Sequence, residues 1–196
     1  MLNIQTMPLG SYQTNCYLVW EENSESCAVI DPGFEAQTVL SEARRLGKRI
    51  EAILLTHGHF DHVGAVKEIA ADTDCRVYLC KLDLTMPAQL TAGTLYYTDS
   101  YGEGDELTAG GVTFQVMHTP GHTQGSVCLI AGEHMFSGDT LFAGSCGRTD
   151  LPGGCWETIG SSLRRLAGLE RNYFVYPGHG ESTTLDNEKM YNPYMR

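Results

Sequence analysis

Apolar residues in the first third of the chain alternate with polar ones or run together in short blocks. Residues 2–8, 16–21 and 26–31 follow this pattern, and residues 22–25 form a polar turn between two of the blocks. Short apolar runs separated by polar turns are typical of β-strands. The pattern therefore predicts that the chain begins with three strands.

A helical period follows at residues 35–47, where apolar positions recur every three or four residues before a glycine. Residues 50–56 then form an apolar run that predicts a buried strand. A histidine-rich stretch comes next, and residues 64–73 show the helical period again. Residues 76–80 predict one more strand.

The second half of the chain repeats this succession of strands and helices. Apolar runs predict strands at 112–118, 125–131 and 134–139, and the period predicts a helix at 156–170. Residues 172–178 predict a further strand, and the tail predicts a short helix. Two strand-rich halves that each carry helices favour a layered α/β sandwich with mixed sheets.

Two segments show neither period. Residues 143–154 are rich in glycine, and residues 83–104 contain Pro87 and three glycines. A long irregular loop in a compact domain is usually a lid or a binding loop. We therefore expect the loop at 83–104 to approach a substrate.

Composition narrows the class of protein. A chain of 196 residues with 42% hydrophobic and 19% charged residues suits one domain over residues 1–196. The net charge of −11 disfavours nucleic acid as a partner, because an acidic surface repels phosphate. No apolar run approaches the length of a membrane span, and the N-terminus lacks the features of a signal peptide. We expect a cytoplasmic protein that does not bind membranes.

The seven cysteines agree with that expectation. Their number is odd, no pair has C-x-x-C spacing, and several lie in apolar runs, as Cys128 does. This usage favours buried free thiols over a disulfide framework or a structural zinc finger.

The densest group of chemically active side chains directly follows the buried strand at 50–56. His57, His59, Asp61 and His62 provide four potential metal ligands within six positions. His57 and His59 point the same way in extended chain, because side chains alternate. Asp61 and His62 come as the chain turns into a helix, which can aim them at a neighbouring point. Imidazole and carboxylate together suit zinc or iron.

Three more ligands lie in turns that directly follow apolar strands. They are His122 in TPGHT, Asp139 in SGDT and His179 in YPGHG. Functional sites of α/β proteins gather at such strand ends. Seven ligands exceed what one tetrahedral metal needs and suit two metals, with Asp139 as the natural bridge.

The motifs THGHFDHVG, TPGHT, SGD and YPGHG, in this order, resemble those of the metallo-β-lactamase superfamily over essentially the whole chain. The resemblance implies a four-layer αβ/βα sandwich with the metals at one edge between the sheets. It also implies how the ligands divide. The first metal would take His57, His59 and His122, the second Asp61, His62 and His179, and Asp139 would bridge them.

Within the superfamily the chain is most similar to short glyoxalase II-type hydrolases. Residues 142–154 resemble a GRTD-type loop of that group, and residues 192–194 match its NPY. Asp31, in AVIDPG, matches the family's aspartate near the first metal. Two interpretations remain for Asp31: it orients a ligand histidine, or it is a turn residue before Pro32.

Other residues are weaker candidates. The family match places the ligand of TPGHT at His122, so we expect His118 to support a ligand or the turn. Tyr96 and Tyr97 lie in the loop at 83–104 and are candidates to stack on a substrate. Arg148 either lines the substrate site or pairs with a nearby carboxylate.

The resemblance implies two divalent ions, zinc by preference and iron or manganese as alternatives. A hydroxide between two metals is a nucleophile at neutral pH, because the metals lower the pKa of water to about 7. It would attack an ester-like carbonyl while Asp61 orients or briefly holds the proton. A thiol, with an ordinary pKa of about 8.5, leaves with little acid assistance. We therefore expect hydrolysis of a small-molecule thioester such as S-lactoylglutathione.

Two alternatives use the same ligands. One is a lactonase, and the other is a persulfide dioxygenase with one iron held by two histidines and one aspartate. One β-lactamase subclass has cysteine in place of Asp139, and flavin-dependent di-iron reductases have glutamate in place of His59, so neither matches. Long glyoxalase II enzymes grip glutathione with a basic C-terminal extension, whereas only Lys189 and Arg196 are cations after His179.

Overall fold

The computed structural model describes residues 1–91 and 93–195. Ala92, within the predicted loop at 83–104, and Arg196 lie outside the described residues. The N-terminal half forms a mixed sheet of strands β1 to β6, in that order from edge to edge. Strands β1 to β3 are antiparallel and β3 to β6 are parallel. Their bounds are Leu2–Leu9, Thr14–Glu21, Ser26–Ile30, Arg49–Leu54, Arg76–Leu79 and Asp99–Ser100.

A second mixed sheet comes from the C-terminal half. Strands β7 to β10 are Glu106–Ala109, Val112–His118, Val127–Ala131 and His134–Gly138; β13 and β14 are Phe174–Pro177 and Thr183–Thr184. The order across the sheet is β14, β13, β10, β9, β8, β7. Only the pairing of β10 with β13 is parallel among these neighbours. Strands β11 (Leu141–Phe142) and β12 (Ser145–Cys146) form a small separate ribbon.

Helices cover the outer faces of both sheets. The α-helices α1 to α5 span Ala36–Arg45, Phe60–Val63, Val66–Thr73, Trp156–Ala167 and Leu185–Tyr191. Short 3-10 helices span Lys81–Thr85, Ala88–Leu90 and Pro193–Met195. Helix α1 buries positions Ala36, Val39, Leu40 and Ala43, which is the spacing of one helical face.

Strand β2 shows why a layer lies on each side of the first sheet. Cys16 and Leu18 pack with the side chains of α1 and α3, whereas Tyr17 and Val19 pack with residues of the second sheet. All four side chains are buried, so the strand reads as a continuous apolar run. Complete burial of a side chain such as Leu18 stabilises the fold by about 1.5–3 kcal/mol.

The buried clusters confirm the four-layer αβ/βα sandwich. One cluster lies between the first sheet and helices α1 and α3, and a second lies between the two sheets. A third lies between the second sheet and helices α4 and α5. Within residues 1–91 and 93–195, no helix is long and apolar enough to cross a membrane.

The predicted loop at 83–104 contains more structure than its sequence indicates. It holds the end of one 3-10 helix, the whole of Ala88–Leu90 and the edge strand β6. Strand β6 has only two residues, so its pairing with β5 rather than any period of its own defines it. The predicted glycine-rich loop at 143–154 likewise includes β12.

Strands from both sheets end at one edge of the sandwich. The backbone N–H of Val127 donates to the carbonyl of Thr56 at 2.9 Å and so joins the two sheets there. The N–H of Asn15 donates to the carbonyl of Gly178 at 2.8 Å and makes a second connection. The turns that follow β4, β8, β10 and β13 therefore meet in one place.

Candidate metal centre

The seven predicted ligands come together at this edge. His57, His59 and His122 offer ligand atoms that all lie within 4.8 Å of one another, and we call them the three-histidine pocket. Asp61, His62 and His179 satisfy the same limit and form the aspartate pocket. These two groups are the ones that the family resemblance implies, and a third group, Asp31, His57 and His62, satisfies the same limit and connects them.

Asp139 lies between the two pockets. Its Oδ2 is 3.5 Å from Nε2 of His122 in the three-histidine pocket. Its Oδ1 is 3.3 Å from Nε2 of His62, and its Oδ2 is 3.6 Å from Nε2 of His179, both in the aspartate pocket. One carboxylate thus faces ligands of both groups, which is the position a bridging ligand needs.

Contacts behind the imidazoles fix which nitrogen faces the pockets. Nδ1 of His122 donates to the carbonyl of Arg148 at 2.7 Å, and Nδ1 of His179 donates to the carbonyl of Tyr12 at 3.2 Å. When the imidazole is neutral, each Nε2 therefore carries the lone pair and can face a metal. Such outer hydrogen bonds set the tautomer and orientation of metal-binding histidines.

Asp31 supports one histidine of each pocket. Its Oδ2 lies 2.9 Å from Nδ1 of His62 and accepts a hydrogen bond from the Thr56 hydroxyl at 2.6 Å. That hydroxyl is 3.2 Å from Nδ1 of His57. Asp31 Oδ1 also accepts from the Thr56 N–H. The carboxylate of Asp31 thus contacts the predicted ligand His62 and also Thr56, which precedes His57. These contacts favour the orienting role over that of a simple turn residue.

Unpaired polar atoms test whether these residues fit a metal. Among the described residues, four buried atoms lack a hydrogen-bond partner: Nε2 of His57, His59 and His62, and Oδ1 of Asp139. In addition, Nδ1 of His59 lies only 2.9 Å from Nε2 of His122. Buried lone pairs without donors are unfavourable, and a cation satisfies them. The donor set fits divalent metals.

The electrostatics of the two pockets differ. Burial, together with His122 and His62, lowers the pKa of His59 to about 4, and burial beside the same histidines lowers the pKa of His57 well below its ordinary value. Burial also opposes a charge on His62, but Asp139 and Asp31 outweigh it and raise the pKa of His62 well above its ordinary value. Without metal, His57 and His59 are therefore neutral, whereas His62 in the aspartate pocket holds a proton.

The pKa values of His179, Asp61 and Asp139 are also set by burial and by neighbouring charges. Burial disfavours the charge on His179, but the hydrogen bond to Asp61 and the charge of Asp139 raise its pKa. Burial would raise the pKa values of Asp61 and Asp139, yet neighbouring histidines hold both below their ordinary range. Both carboxylates are therefore ionised and ready to bind a cation.

Glycine is required beside the bridge position. A Cβ on Gly178 would lie 2.2 Å from Oδ1 of Asp139 and 2.7 Å from Cε1 of His62. Any side chain there would displace the carboxylate or the imidazole. The glycine of YPGHG thus has a local structural cause, which is the close approach of the His179 turn to Asp139.

The side chains of the other predicted residues lie outside the two pockets. His118 Nε2 donates to the carbonyl of Gln124 at 2.8 Å, so His118 supports the turn that carries His122. Arg148 forms a two-pronged ion pair with Asp150, at 2.6 and 2.7 Å. Tyr96 lines a small cavity beside α2 and α3, and Tyr97 packs against the outer core.

Sequence reasoning missed a group of aromatic side chains beside the aspartate pocket. Phe60 lies between two ligands in the chain, and Tyr12 and Phe34 contact it at ring-centroid distances of 5.2 and 6.4 Å. Tyr12 is 57% exposed, and its carbonyl accepts from His179. Phe142 approaches the His179 ring from another direction, at 6.2 Å. We call Tyr12, Phe34, Phe60 and Phe142 the aromatic rim.

Thr14 is a second missed residue. Its hydroxyl donates to Oδ2 of Asp61 at 3.3 Å, and the same oxygen is 3.2 Å from Nε2 of His179. A threonine at a strand start carries no sequence signal of this kind. Only the pairing of Thr14 with His179 across the two sheets brings it to the site.

The chain belongs to the metallo-beta-lactamase superfamily, whose sequence model matches residues 9–179. Hydroxyacylglutathione hydrolase GloC of Haemophilus influenzae is 35% identical over 209 residues, which cover 99% of this chain and 98% of that relative. The family and the two ligand groups support a metal-dependent hydrolase that binds divalent metal and acts on a small molecule.

Two solved structures are similar over their full length. BLEG-1 B3 metallo-beta-lactamase is 33% identical, with a TM-score of 0.90 and coverage of 100% of this chain and 99% of that one. The di-iron-bound form of TTHA1623 is 40% identical, with a TM-score of 0.84 and coverage of 97% and 99%. These matches confirm the metallo-β-lactamase fold.

Proposed function

We propose that this protein is a two-metal hydrolase that cleaves a small thioester such as S-lactoylglutathione. The observation that carries the proposal is the position of Asp139 between two separate groups of three ligands. One group alone would suffice for a single metal. A carboxylate that faces both groups is expected where two ions act together.

The ligand assignment follows from the contacts. The three-histidine pocket would hold one ion and the aspartate pocket would hold the other. Asp139 would be a ligand of both ions. When bound, two divalent ions would supply a water activated at neutral pH and would polarise a carbonyl oxygen. We propose zinc, which suits imidazole and carboxylate ligands. The di-iron form of TTHA1623 supports iron as the alternative, and manganese remains compatible with the ligands.

Asp61 is the residue that we assign to proton handling. Its Oδ2 is held by the Thr14 hydroxyl and by His179, so the carboxylate has one fixed orientation. The lowered pKa of Asp61 keeps it ionised as an acceptor. We propose that Asp61 orients the attacking water and briefly accepts its proton.

The proposed mechanism assigns no residue as a general acid, and a thiolate leaving group does not need one. A thiol has an ordinary pKa of about 8.5, so its thiolate departs without a strong proton donor. The name of the H. influenzae relative, hydroxyacylglutathione hydrolase, supports a thioester of glutathione.

The aromatic rim is our candidate for contact with the substrate. The carbonyl of Tyr12 contacts His179, Phe60 directly precedes Asp61, and Tyr12 is 57% exposed. Arg148 is already paired with Asp150, and Tyr97 packs into the core, so both are weaker candidates than the sequence indicated. Tyr96 is 42% exposed and stays a secondary candidate.

We also propose a cytoplasmic location. All seven cysteines are free, and five of them are buried. Free thiols in this number suit a reducing compartment.

The test is a panel of substrates with metal-loaded protein. We expect the protein to cleave S-lactoylglutathione with efficient turnover but a high KM. We also expect it to accept thioesters of other thiols. Oxygen consumption with glutathione persulfide, without thioester cleavage, would instead establish the iron-dependent dioxygenase. Protein with His57→Ala serves as the metal-deficient control, and His118→Ala as the matched histidine control.

Ring opening is a second candidate activity. The full-length similarity to BLEG-1, which is named a B3 metallo-beta-lactamase, favours testing a β-lactam and a lactone in the same panel. A lactone turned over far faster than any thioester would make the protein a lactonase.

A further inference from the structure

Asp83 is a completely buried carboxylate that the proposed reaction does not use. It lies in the 3-10 helix Lys81–Thr85, at the start of the loop that we expected to approach a substrate. Its side chain is 0% exposed. In the described part of the chain, no lysine or arginine forms an ion pair with it.

Three donors from two distant loops converge on this carboxylate. Oδ2 accepts from the N–H of Gly58 at 2.8 Å and from the hydroxyl of Thr123 at 3.0 Å. Oδ1 accepts from the N–H of Gly125 at 2.6 Å. Gly58 stands between His57 and His59, and Thr123 directly follows His122. One side chain therefore ties together the two segments that carry every ligand of the three-histidine pocket.

The loops pack closely around Asp83. A Cβ on Gly125 would lie 2.6 Å from Oδ1 of Asp83, and a Cβ on Gly58 would lie 3.3 Å from its Cβ and 2.8 Å from Cε of Met86. A side chain at position 125 would push its loop off the carboxylate, and one at position 58 would have to displace Met86. The arrangement therefore leaves little freedom for the backbone on either side of the ligands.

The choice of a carboxylate is informative. A buried charge without a cation is unfavourable, so it persists where its hydrogen bonds secure something that a neutral group cannot. Only a carboxylate accepts hydrogen bonds at both ends, whereas asparagine accepts at one oxygen and donates at its nitrogen. Two N–H donors and a hydroxyl from separate loops need acceptors at both ends.

We propose that Asp83 is a positioning residue that fixes His57, His59 and His122 in ligand geometry and so sets the metal affinity of the three-histidine pocket. This inference rests on the proposal that these histidines bind metal. Asp83 would contact no ion itself. The aspartate pocket takes its supports elsewhere, from Asp31, Thr14 and the carbonyl of Tyr12. Loss of Asp83 should therefore weaken one pocket and spare the other.

The experiment measures zinc affinity of each pocket separately in the full chain. A His179→Ala background isolates the three-histidine pocket, and a His59→Ala background isolates the aspartate pocket. Asp83→Asn is introduced into both, and zinc dissociation constants are measured by competition with a chromophoric chelator. We expect affinity to fall by about 10–100-fold in the His179→Ala background. In the His59→Ala background we expect a change within about twofold.

Two further variants keep the test decisive. Asp105→Asn is the matched control, because Asp105 also accepts from a backbone N–H, that of Gly102, in an exposed turn. It should change neither affinity. Thr123→Val removes one donor and leaves Asp83 in place, so it should weaken the three-histidine pocket in the same direction but less. It also covers the case in which Asp83→Asn does not fold, which circular dichroism would show.

The outcomes separate this inference from the proposed function. Unchanged zinc affinity in Asp83→Asn and Thr123→Val, or equal losses in both backgrounds, would overturn the positioning role even if thioesters are cleaved. A selective loss at the three-histidine pocket would support it even if the true substrate is not a thioester.

Discussion

The three-histidine pocket and the aspartate pocket lie side by side but differ in almost every physical respect. His57, His59 and His122 are all buried, and their segments are joined by Asp83. In the aspartate pocket, His179 has a side chain that is 27% exposed, and it lies beside the partly exposed aromatic rim. The three-histidine pocket is fully enclosed, whereas the aspartate pocket reaches the surface at His179 and contains an ionised carboxylate.

This difference indicates a division of labour. His57 and His59 are buried and have lowered pKa values, so they bind a metal without first losing protons, and we expect their pocket to hold its ion tightly. The aspartate pocket must release protons from His62 and His179 to bind metal, and the side chain of His179 is partly exposed to solvent. We infer that the three-histidine pocket anchors the centre and that the aspartate pocket receives the substrate.

The largest expected effect comes from the residue that the pockets share. Asp139→Ala should lower metal occupancy of both pockets and reduce turnover by about 10³-fold or more, because it removes a ligand from each ion. Metal content per chain and kcat are the measurements. Asp105→Ala serves as a surface control, and retention of both metals by Asp139→Ala would show that the pockets are independent.

The next largest effect distinguishes His59, a predicted metal ligand, from His118, which is not predicted to bind metal. His59→Ala should abolish turnover by orders of magnitude, because His59 belongs to the three-histidine pocket. His118→Ala should leave measurable activity, since His118 supports only the turn at Gln124. Equal losses from the two variants would mean that the ligand in the TPGHT segment is misassigned.

As the pH falls, the two pockets should lose their metal ions one after the other. His59, with a pKa of about 4, stays neutral at pH 5 and loses no metal to protons there. His62 and His179 have raised pKa values, so protons compete with metal in the aspartate pocket as soon as the pH falls below them. Each displaced proton should weaken binding by about tenfold per pH unit.

Dialysis at stepwise lower pH, with metal analysis at each step, measures this order. We expect the metal content to fall first to about one per chain and only then to zero. Simultaneous release of both ions would break the distinction between the pockets.

Asp31→Asn should have a smaller effect on metal affinity, and the effect should differ between the two pockets. Asp31 contacts His62 directly but reaches His57 only through Thr56. Loss of such an outer contact typically weakens metal binding by about 10–100-fold. We expect the aspartate pocket to lose more affinity than the three-histidine pocket. The reverse order would contradict the contacts described here.

The smallest expected effect concerns the aromatic rim. Tyr12→Ala should raise KM for S-lactoylglutathione by roughly threefold to tenfold and leave metal content and kcat nearly unchanged. Steady-state kinetics with Tyr191→Ala as an exposed-tyrosine control measures this. A loss in kcat alone would assign Tyr12 a role in the chemical step instead.

Much of the fold and the ligand set could be predicted because the signals are local. Helix α1 follows its period, and β2 reads as a strand from its apolar run. The ligands are residue types that bind metals, each placed directly after a predicted strand. Short strands such as β6 escaped prediction, because two residues carry no period and only their partner strand defines them.

The supporting residues could not be predicted for a different reason. Asp83 lies in the unremarkable segment KLDLT, and its partners are 25, 40 and 42 positions away in the chain. Tyr12 likewise reaches His179 from 167 positions away. These contacts join residues far apart in the chain, and most of them form only when the two halves fold onto each other, so no local pattern encodes them.

A zinc titration of metal-free protein tests the central claim most directly. Bound zinc per chain and hydrolysis of S-lactoylglutathione are followed together as metal is added. We expect the three-histidine pocket to fill first and full turnover to require a second ion in the aspartate pocket. Full thioester hydrolysis at one bound metal per chain would contradict the two-metal mechanism.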